Sequence, residues 1–417
     1  MKILFVSTLY HPHGVGGAEA SVRLLAEACR RAGDEPVVVT LAPDGVAAER
    51  EVCGVRVHAV PLWNLFFPYP WPRPPAWRAL GWHALDSWNP VMARRVAAIV
   101  AREAPDVVHV HNLLGFSAAI WPALARCGVP VVQTLHDHYV ACTNSLTYRA
   151  GRNCRTRCLH CRVLGTPRRL LSRRVDVVTA VSRRLLDRVG GFGIFAGVGP
   201  RIVIPNPNPA RRRPAVRRAA PDPGRALRVG FLGRVEPIKG PQVLLAAAQQ
   251  LEPGRVEVLL GGAARPEELA ALQARFGGPG IRFLGPVEPE AFLDAIDVLV
   301  VPSVVEEAAG RVVHEAFGAG VPVIGAAIGG IPELIEEGRT GFLVPPGDAD
   351  ALARRLRSLC DAPPDWPAMS ARCLAAADRH ALPPILAAYR AAWARARDAR
   401  RAALRAAASP VEDRARP

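Results

Sequence analysis

Short runs of aliphatic and β-branched residues alternate with helical patterns along most of the chain, and this alternation occurs in two separate blocks. Such runs, separated by helices, are typical of parallel sheets that are covered by helices on both faces. We therefore predict an α/β fold with two doubly wound, Rossmann-like domains. The predicted strands are Ile3–Ser7, Val37–Thr40, Val107–His111, Val131–Leu135, Val177–Val181 and Ile202–Ile204 in the first block, and Leu227–Leu232, Val256–Leu260, Ile281–Leu284, Val298–Val301 and Val321–Ile324 in the second.

A segment rich in proline and arginine separates the two blocks and has the composition of a linker. Ligands of doubly wound sheets bind beyond the carboxyl ends of the strands. We therefore expect a site in a cleft between two domains that face each other. The predicted division is a first domain over residues 1–205, a linker over 206–225, a second domain over 226–375 and a helical tail over 376–417, with an aromatic insert at 63–88 and a cysteine-rich insert at 138–165 in the first domain.

Composition excludes several classes of protein. Hydrophobic residues make up 50% of the 417 residues, which is enough for a sizeable core and excludes disorder of the whole chain. Nine cysteines are too sparse for a disulfide scaffold, and no apolar run reaches the ~20 residues that span a bilayer. The apolar run at Ile3–Val6 is too short for the core of a signal peptide. We expect a soluble, cytoplasmic protein.

The chain is basic, with a formal net charge of +16. Only two of its 53 basic residues are lysines, Lys2 and Lys239, and this skew towards arginine indicates GC-rich codon usage. The charge is therefore weak support for a nucleic-acid partner, and we expect none. A basic surface also attracts anionic lipids and phosphorylated substrates.

Two glycine-containing loops each follow the first predicted strand of a domain. In the first domain, Gly16 and Gly17 precede a helix, where backbone N–H groups can approach a phosphate. In the second domain, Gly233 and Arg234 are followed by Lys239. An arginine fork and a lysine ammonium are both suited to a pyrophosphate; the alternative is a solvated basic turn.

A third loop follows the predicted strand Val298–Val301. Gly310 begins a helix there, with Glu307 before it and Glu315 within it. Free N–H groups at a helix start favour an anion, and the two carboxylates are suited to accept hydrogen bonds from sugar hydroxyls. The spacing of the two glutamates alone is weak evidence for a sugar-binding loop, and the surrounding motifs make it specific.

Taken together, these motifs resemble family 4 glycosyltransferases of the GT-B fold, in which two Rossmann-like domains face a cleft. The resemblance covers nearly the whole chain, and its specificity lies in the order of the motifs. They are Gly16–Glu19, Asp106–Asn112, Thr134–Asp137, Val181-Ser182, Ile204–Asn206, Gly233–Gly240, Glu307–Glu315, Gly329–Glu333 and Gly341–Pro345.

The resemblance implies roles for individual residues. Arg234 and Lys239 would hold the donor diphosphate and neutralise the leaving group, and Glu307 would bind hydroxyls of the donor sugar. His136 would lie near the reacting sugar and Glu315 against the ribose. The remaining implied donor contacts are Gly16, Gly17, Gly233, Gly310, Arg311 and Val312.

The resemblance also implies a chemistry. A sugar moves from a UDP- or GDP-sugar to a glycan or lipid-linked acceptor with retention at the anomeric carbon, without a catalytic metal or other required cofactor. The sequence shows no pair of carboxylates flanking a scissile bond, so a double displacement of the glycosidase type is not supported. The expected process is assembly of a bacterial surface polysaccharide or glycolipid, in the cytoplasm or at the cytoplasmic face of the membrane.

Some positions depart from the family pattern. Asp34 follows Gly33 where the family often has histidine, Ala309 replaces a bulky residue, and His314 occupies a position that is more often aliphatic. These departures leave the class intact and leave the donor unidentified. Two alternatives stay open: a nucleotide-sugar epimerase of the same fold, and a non-catalytic paralogue that binds a nucleotide or a partner.

The cysteine-rich insert contains four of the nine cysteines, namely Cys142, Cys154, Cys158 and Cys161. In a cytoplasmic chain such clustering favours a structural zinc over disulfides. The Cys158–Cys161 spacing suits a zinc knuckle, whereas the other spacings are not standard. The alternative is that reduced thiols pack the loop.

The aromatic insert contains five of the eight tryptophans, interspersed with prolines. Aromatic side chains stack on sugars and lie at membrane interfaces. With neighbouring arginines, the insert is suited to a lipid-linked acceptor or to peripheral membrane contact; the alternative is that its aromatic residues pack onto the domain.

Overall fold

The computed structural model describes residues 1–14, 16–69, 74–208, 222 and 224–408. Most of the predicted linker over 206–225 and one tryptophan of the aromatic insert, Trp71, lie outside this part of the chain. The strands are β1 (Lys2–Val6), β2 (Glu35–Ala42), β3 (Ala48–Val52), β4 (Val55–Pro61), β5 (Val107–Val110), β6 (Val131–Leu135), β7 (Tyr148–Arg149), β8 (Arg152–Asn153), β9 (Val177–Ala180), β10 (Arg201–Val203), β11 (Leu227–Leu232), β12 (Val256–Gly261), β13 (Ile281–Gly285), β14 (Val298–Val301), β15 (Val323–Ala326) and β16 (Gly341–Val344).

Helices separate most of these strands. They are α1 (Gly17–Arg31), α2 (Ala76–Ser87), α3 (Pro90–Glu103), α4 (Ile120–Arg126), α5 (Leu159–Leu164), α6 (Thr166–Leu171), α7 (Arg183–Gly191), α8 (Pro241–Ala248), α9 (Pro266–Phe276), α10 (Pro289–Asp294), α11 (Arg311–Gly318), α12 (Ala349–Asp361), α13 (Trp366–Arg379) and α14 (Leu382–Ala408). None of the helices in the described ranges is both long and apolar enough to cross a bilayer.

The chain divides into two compact units. The first comprises Met1–Thr147, Cys154–Pro205 and Leu382–Pro417, and the second comprises Tyr148–Asn153 and Asn206–Ala381. The main boundary therefore falls at Pro205, where the first predicted domain ends. Two segments differ from the predicted division: the hairpin β7–β8 belongs to the second unit, and α14 belongs to the first.

The sheet of the first unit has the strand order β10-β9-β6-β5-β1-β2-β4-β3. All neighbouring pairs are parallel except β3 with β4. The parallel part confirms the predicted fold class. The edge hairpin β3–β4 was not predicted, because the alternating polar residues Arg56 and His58 interrupt its apolar pattern.

The second sheet has the order β13-β12-β11-β14-β15-β16, and all its neighbouring strands are parallel. Residues along β14 enter two separate core clusters in turn: Val298 and Val300 belong to one, and Leu299 and Val301 to the other. Because successive side chains of a strand point to opposite faces, both faces of this sheet are covered. This is the doubly wound architecture that the sequence predicts.

Helix α14, which the sequence places in a separate tail, is part of the core of the first unit. Tyr389 and Trp393 are buried in the same cluster as Phe5 of β1, and the Trp393 ring lies edge-on to the Phe5 ring with centroids 6.1 Å apart. The alanine- and arginine-rich composition obscures this role, since few of its residues are large and apolar. The C-terminal segment therefore helps to stabilise the N-terminal sheet.

Candidate functional site

The first loop of the second unit requires glycine for two close backbone approaches. A Cβ on Gly240, which has a φ of 76°, would lie 2.0 Å from the carbonyl oxygen of Pro302. A Cβ on Gly262 would lie 1.8 Å from the carbonyl oxygen of Gly233. The loop that carries Arg234 and Lys239 is therefore held against the loops that follow β12 and β14.

Lys239 and Glu307, predicted to bind the diphosphate and the sugar respectively, form an ion pair. Lys239 Nζ lies 3.0 Å from Glu307 Oε2, and the side chains are 27% and 13% exposed. The Ser303 hydroxyl donates to the other carboxylate oxygen of Glu307. The structure thus brings these two predicted residues together and fixes the orientation of the carboxylate.

The backbone of Glu307 is held by the glycine pair at Gly329 and Gly330. The Gly330 N–H donates to the Glu307 carbonyl oxygen over 2.8 Å. A Cβ on Gly329, which has a φ of 61°, would lie 2.3 Å from that same oxygen. These contacts explain why glycines follow β15: they permit a close fit around the loop that carries Glu307.

A residue that the sequence analysis did not single out, Asn153, holds this loop from the other side. Its side-chain amide donates to the Val304 carbonyl oxygen at 2.8 Å, and its Oδ1 accepts from the Glu306 N–H at 3.0 Å. Asn153 lies on the hairpin β7–β8, which belongs to the second unit. This role was not predicted, because Asn153 lies next to Cys154 in the insert whose cysteines indicate a zinc site.

The start of α11 carries a second pair of predicted residues. Arg311 Nε lies 3.2 Å from Glu315 Oε1. Burial raises the pKa of Glu315, and the charge of Arg311 opposes that shift. Arg234, by contrast, is 66% exposed and pairs with Glu236 at 3.0 Å. The structure therefore pairs Arg311 with Glu315 at the start of α11 and pairs Arg234 with Glu236 on the loop that follows β11.

In the first unit, the glycine loop leads into α1. Gly16 is the N-cap residue and Gly17 is the first residue of the helix. A pocket of about 410 Å³ of empty volume lies beside the loop and is lined by His11, Pro12, Gly14, Gly16, Glu19, Ala20 and Arg23. Both predicted glycines are thus at the helix start, as the phosphate hypothesis requires.

His136 lies after β6 and contacts a second histidine. Its Nε2 lies 2.8 Å from His111 Nδ1, and the two rings stack with centroids 5.1 Å apart. Burial lowers the pKa of His111 well below its usual value, and the neighbouring charges of His109 and His136 lower it further. His111 is therefore neutral at physiological pH, and the tautomers of the two rings decide which of them donates in this contact.

A chain of hydrogen bonds lies behind this pair. The Trp393 indole N–H donates to His109 Nδ1 at 3.2 Å. His109 is buried and its pKa is lowered well below the usual value, so the neutral ring carries its proton on Nε2. That N–H donates to Thr134 Oγ1 at 2.6 Å, which lies 2.6 Å from Thr179 Oγ1. Trp393 of α14 thus fixes the tautomer of His109, which lies next to His111.

Next to His136 is a buried polar cluster that the sequence did not predict. Asp86 of α2 accepts from the Tyr139 hydroxyl and lies 3.5 Å from Arg168 NH2 of α6. The Arg168 guanidinium lies over the Tyr139 ring at 4.2 Å and donates to the Tyr139 carbonyl oxygen at 3.0 Å. Burial raises the pKa of Asp86 to about 6, and the Arg168 charge opposes this.

Tyr139 and His136 line a pocket of the first unit. Burial raises the pKa of Asp137 in its wall to about 6, although the Tyr139 N–H donates to the carboxylate. The lining is mixed, with imidazole, carboxylate and amide groups among aliphatic side chains. It consists of Tyr69, His111, Asn112, Leu113, Leu114, Gln133, Thr134, Leu135, His136, Asp137, Tyr139, Val140 and Ser145.

Two of the four cysteines proposed as zinc ligands are in contact. The Sγ atoms of Cys142 and Cys161 are 3.7 Å apart, and both residues are buried. This equals the edge of a tetrahedron with zinc–sulfur bonds of ~2.3 Å. Cys154 and Cys158 are partly exposed. The zinc site stays a prediction.

A different group of candidate metal ligands lies in the first unit. Glu49, His58 and Glu103 have donor atoms within 4.8 Å of one another. Lys2 and Arg56 both contact Glu103, at 2.8 and 2.9 Å, and Arg102 contacts Glu49 at 3.0 Å. Because these cations already neutralise the carboxylates, the group is an ion-pair network rather than a metal site.

Two family models match separate parts of the chain. The model for Glycosyltransferase Family 4 matches residues 15–212, and the model for Glycosyl transferases group 1 matches residues 226–362. The two matches correspond to the two units. With two Rossmann-like sheets, the fold defines a GT-B glycosyltransferase. The chain is a glycosyltransferase whose first unit matches family 4 and whose second unit matches group 1.

Curated relatives are consistent with this assignment. An uncharacterized 42.6 kDa protein in the cps region of Klebsiella pneumoniae is 27% identical over 80% of this chain and 87% of that protein. The D-inositol 3-phosphate glycosyltransferase of Streptomyces avermitilis is 34% identical over 66% of this chain. That alignment spans 61% of the Streptomyces protein, which is less than two thirds of its length.

Solved structures share the fold at low sequence identity. Sucrose-phosphate synthase from Thermosynechococcus elongatus has a TM-score of 0.71 and 20% identity, covering 94% of this chain and 99% of that one. The Anabaena protein HepE, solved in complex with UDP, has a TM-score of 0.67 and 21% identity, covering 94% and 100%. At this identity the likeness shows the fold alone.

Proposed function

We propose that this protein is a retaining glycosyltransferase. It transfers a sugar from a UDP- or GDP-sugar to a glycan or lipid-linked acceptor of a bacterial surface polysaccharide or glycolipid. The reaction takes place in the cytoplasm or at the cytoplasmic face of the membrane. The observation that carries the proposal is the Lys239–Glu307 ion pair, because it joins a cation suited to a diphosphate to a carboxylate suited to sugar hydroxyls.

In this proposal the second unit binds the donor. The Lys239 ammonium has three N–H donors, so it can contact a diphosphate and Glu307 together. Arg234 is exposed and supplies a second positive charge. The backbone around Gly310, Arg311 and Val312 contacts the phosphate and the sugar, and Glu315 accepts a hydrogen bond from the ribose.

The transition state develops positive charge on the sugar and negative charge on the departing diphosphate. The acceptor oxygen bonds to the anomeric carbon on the face from which the diphosphate leaves, and the bond from that carbon to the phosphate oxygen breaks. The acceptor proton passes to the departing phosphate oxygen. Preorganised cations and N–H groups stabilise the phosphate charge, so no metal is needed for this step.

The first unit binds the acceptor in this account. Its pocket is lined by His136 and Asp137. His136 lies in the wall of this pocket, where its imidazole is placed to form a hydrogen bond with an acceptor hydroxyl. Gly16 and Gly17 allow the first loop to approach the phosphate and the acceptor.

The comparisons support the proposal in two ways. HepE was solved with UDP and with UDP-glucose, which favours a nucleotide-sugar donor. The Klebsiella relative is a protein of a cps region, which favours a surface polysaccharide.

The test is incubation of the full-length protein with UDP- or GDP-sugars and a panel of free glycan and lipid-linked acceptors, followed by ¹H NMR of the products. We expect release of the nucleoside diphosphate and a product of the same anomeric configuration as the donor. Inversion of that configuration would contradict the retaining mechanism. An epimerised nucleotide-sugar with its diphosphate bond intact would favour the epimerase, and binding without turnover would favour the non-catalytic paralogue.

We also propose a structural zinc held by Cys142, Cys154, Cys158 and Cys161. The 3.7 Å separation of the Cys142 and Cys161 sulfurs supports it, together with the placement of all four cysteines in one insert. The zinc would close the loop that follows His136 and Asp137, without a part in the chemistry.

A further inference from the structure

The large hydrophobic side chains that are exposed on this protein are concentrated in two segments of the first unit. Among the described residues, all but two of them lie within residues 63–88 or 159–170. They are Trp63, Leu65, Trp77, Leu80, Trp88, Leu159, Val163 and Leu170, and the two exceptions are Val46 and Leu404. Single exposed apolar residues are ordinary, whereas a concentration of them marks an interaction surface.

Helix α2 carries an apolar stripe on the side that faces away from the core. Trp77, Leu80 and Ala84 are exposed, and Trp88, the C-cap residue, continues the row. At 3.6 residues per turn these positions lie on one face. The opposite face is buried through Trp82 and other residues of the helix. The helix is therefore anchored on one side and apolar on the other.

Helices α5 and α6 extend this surface. The His83 and His160 rings meet edge to face with centroids 6.3 Å apart, and the Ser87 hydroxyl donates to the Leu164 carbonyl oxygen at 2.7 Å. Leu159 is 74% exposed and Val163 is 61% exposed. Helices α2 and α5, which each carry exposed apolar side chains, thus pack against each other.

Arginines are frequent in the stretch of chain that includes α5 and α6. Residues 152–174 contain eight arginines and no acidic residue. Arg162, Arg169, Arg173 and Arg174 are exposed. The acidic residue of α2, Asp86, is buried and paired with Arg168. The surface is therefore both apolar and strongly cationic.

We propose that this face of the first unit, formed by α2, α5 and α6, docks on an anionic membrane surface. Helix α2 is 12 residues long, too short to cross a bilayer but suited to lie in its interface. Tryptophan side chains favour that interface, and each arginine near it strengthens binding to anionic lipid by about fivefold. A second copy of the chain fits less well, since the arginines of two copies would repel each other.

The same surface is joined to the candidate acceptor site. Arg168 of α6 and Asp86 of α2 both contact Tyr139, which follows His136 and Asp137 by a few residues. Docking would therefore place the His136 loop at a membrane, where a lipid-linked acceptor is found. This last step rests on the proposed function, whereas the docking itself does not.

The test is sedimentation of the full-length protein with vesicles of phosphatidylcholine alone or mixed with phosphatidylglycerol. We expect at least tenfold tighter binding to the mixed vesicles, weakened by salt. Two double variants should each weaken binding at least tenfold: one combines Trp77→Ser with Leu80→Ser, and the other combines Arg162→Glu with Arg169→Glu. Two controls should bind like the wild type: Val46→Ser for the apolar variant, and the double variant Arg275→Glu with Arg282→Glu for the charge variant.

Equal binding of the surface variants and the controls would overturn the proposal, as would the absence of binding to the mixed vesicles. Light scattering after gel filtration tests whether a second copy of the chain covers this surface instead of a membrane. A dimer that the Trp77→Ser with Leu80→Ser variant loses would show that the surface joins two copies. Melting temperatures with and without UDP show whether a variant has kept its fold and nucleotide site, so failure of docking is separable from failure of the proposed function.

Discussion

Lys239 Nζ and Glu307 Oε2 lie 3.0 Å apart, although the two residues stand on loops that follow different strands of the second sheet. The pair is held by contacts of the backbone rather than by its own attraction. Gly240 permits the approach to Pro302, and Gly329 permits the approach to Glu307. The two side chains remain 27% and 13% exposed, so a ligand can reach the pair.

We expect Lys239→Ala to lower kcat by about 10²- to 10³-fold, because it removes a cation that stabilises the leaving diphosphate. The melting temperature should change little. The measurement is the rate of nucleoside diphosphate release from the donor sugar. Arg282→Ala, an exposed substitution in the same unit, serves as the control. Wild-type turnover in Lys239→Ala would contradict the assignment of the donor site.

Asn153 is expected to act as a positioning residue for the Glu307 loop. Asn153→Leu removes the hydrogen bonds to Val304 and Glu306, and we expect a rise of about tenfold in the donor KM with a smaller loss of kcat. Asn153→Asp retains the acceptor for the Glu306 N–H and should recover part of the loss. Arg152→Ala, an exposed neighbour on the hairpin, should have the kinetic constants of the wild type. An unchanged KM in Asn153→Leu would rule out this role.

His314 is fully buried in α11, and neither of its ring nitrogens has a hydrogen-bond partner among the described residues. Its ring packs edge-on against His380 with centroids 4.4 Å apart. Replacing an unsatisfied buried polar group by an apolar one of similar size removes a desolvation cost of about 1–3 kcal/mol. We therefore expect His314→Leu to raise the melting temperature at pH 7.

The same residue predicts a pH dependence. Burial lowers the pKa of His314 to about 3, below the ~6.5 of an unfolded chain. Between these values the unfolded state binds a proton that the folded state does not, so stability falls as the pH falls, by about 1.4 kcal/mol per pH unit. The melting temperature of His314→Leu should fall less between pH 6.5 and 4 than that of the wild type. The exposed His13→Leu should follow the wild type, and a parallel decline of all three proteins would refute the prediction.

Zinc is tested by metal analysis of protein purified without a chelator. We expect about one equivalent of zinc, reduced by Cys142→Ser and by Cys158→Ser. Cys127→Ser, at an exposed cysteine outside the insert, should retain the metal. Less than a tenth of an equivalent in the wild type would remove the proposal.

Catalysis should withstand EDTA at concentrations that leave the structural zinc in place, and a loss of activity that Mg²⁺ restores would contradict a metal-independent mechanism.

Much of the fold was predictable because apolar runs are strong signals. The strands Leu227–Leu232 and Val298–Val301 have the predicted bounds, since both are buried and bounded by turn residues. The hairpin β3–β4 was missed because polar residues alternate with its valines. The role of α14 was missed because it depends on contacts with Phe5 and His109, which are distant in the sequence.

The candidate site was predictable only in part. Motif order identified Lys239, Glu307 and Glu315, and the structure places Lys239 beside Glu307 and Arg311 beside Glu315. Asn153 and Arg168 carry no sequence signal, because an amide and an arginine in a polar insert are ordinary on a solvated surface. Their roles follow from tertiary contacts that no local pattern encodes.

The central claim is that the second unit binds a nucleoside diphosphate through Lys239. The most direct measurement is the melting temperature of the wild type and of Lys239→Ala with UDP, GDP and ADP, since a ligand that binds only the folded state raises it. We predict that one of the three nucleotides stabilises the wild type and has little effect on the variant. Equal stabilisation of both proteins, or no stabilisation of the well-folded wild type by any of the three, would contradict the claim.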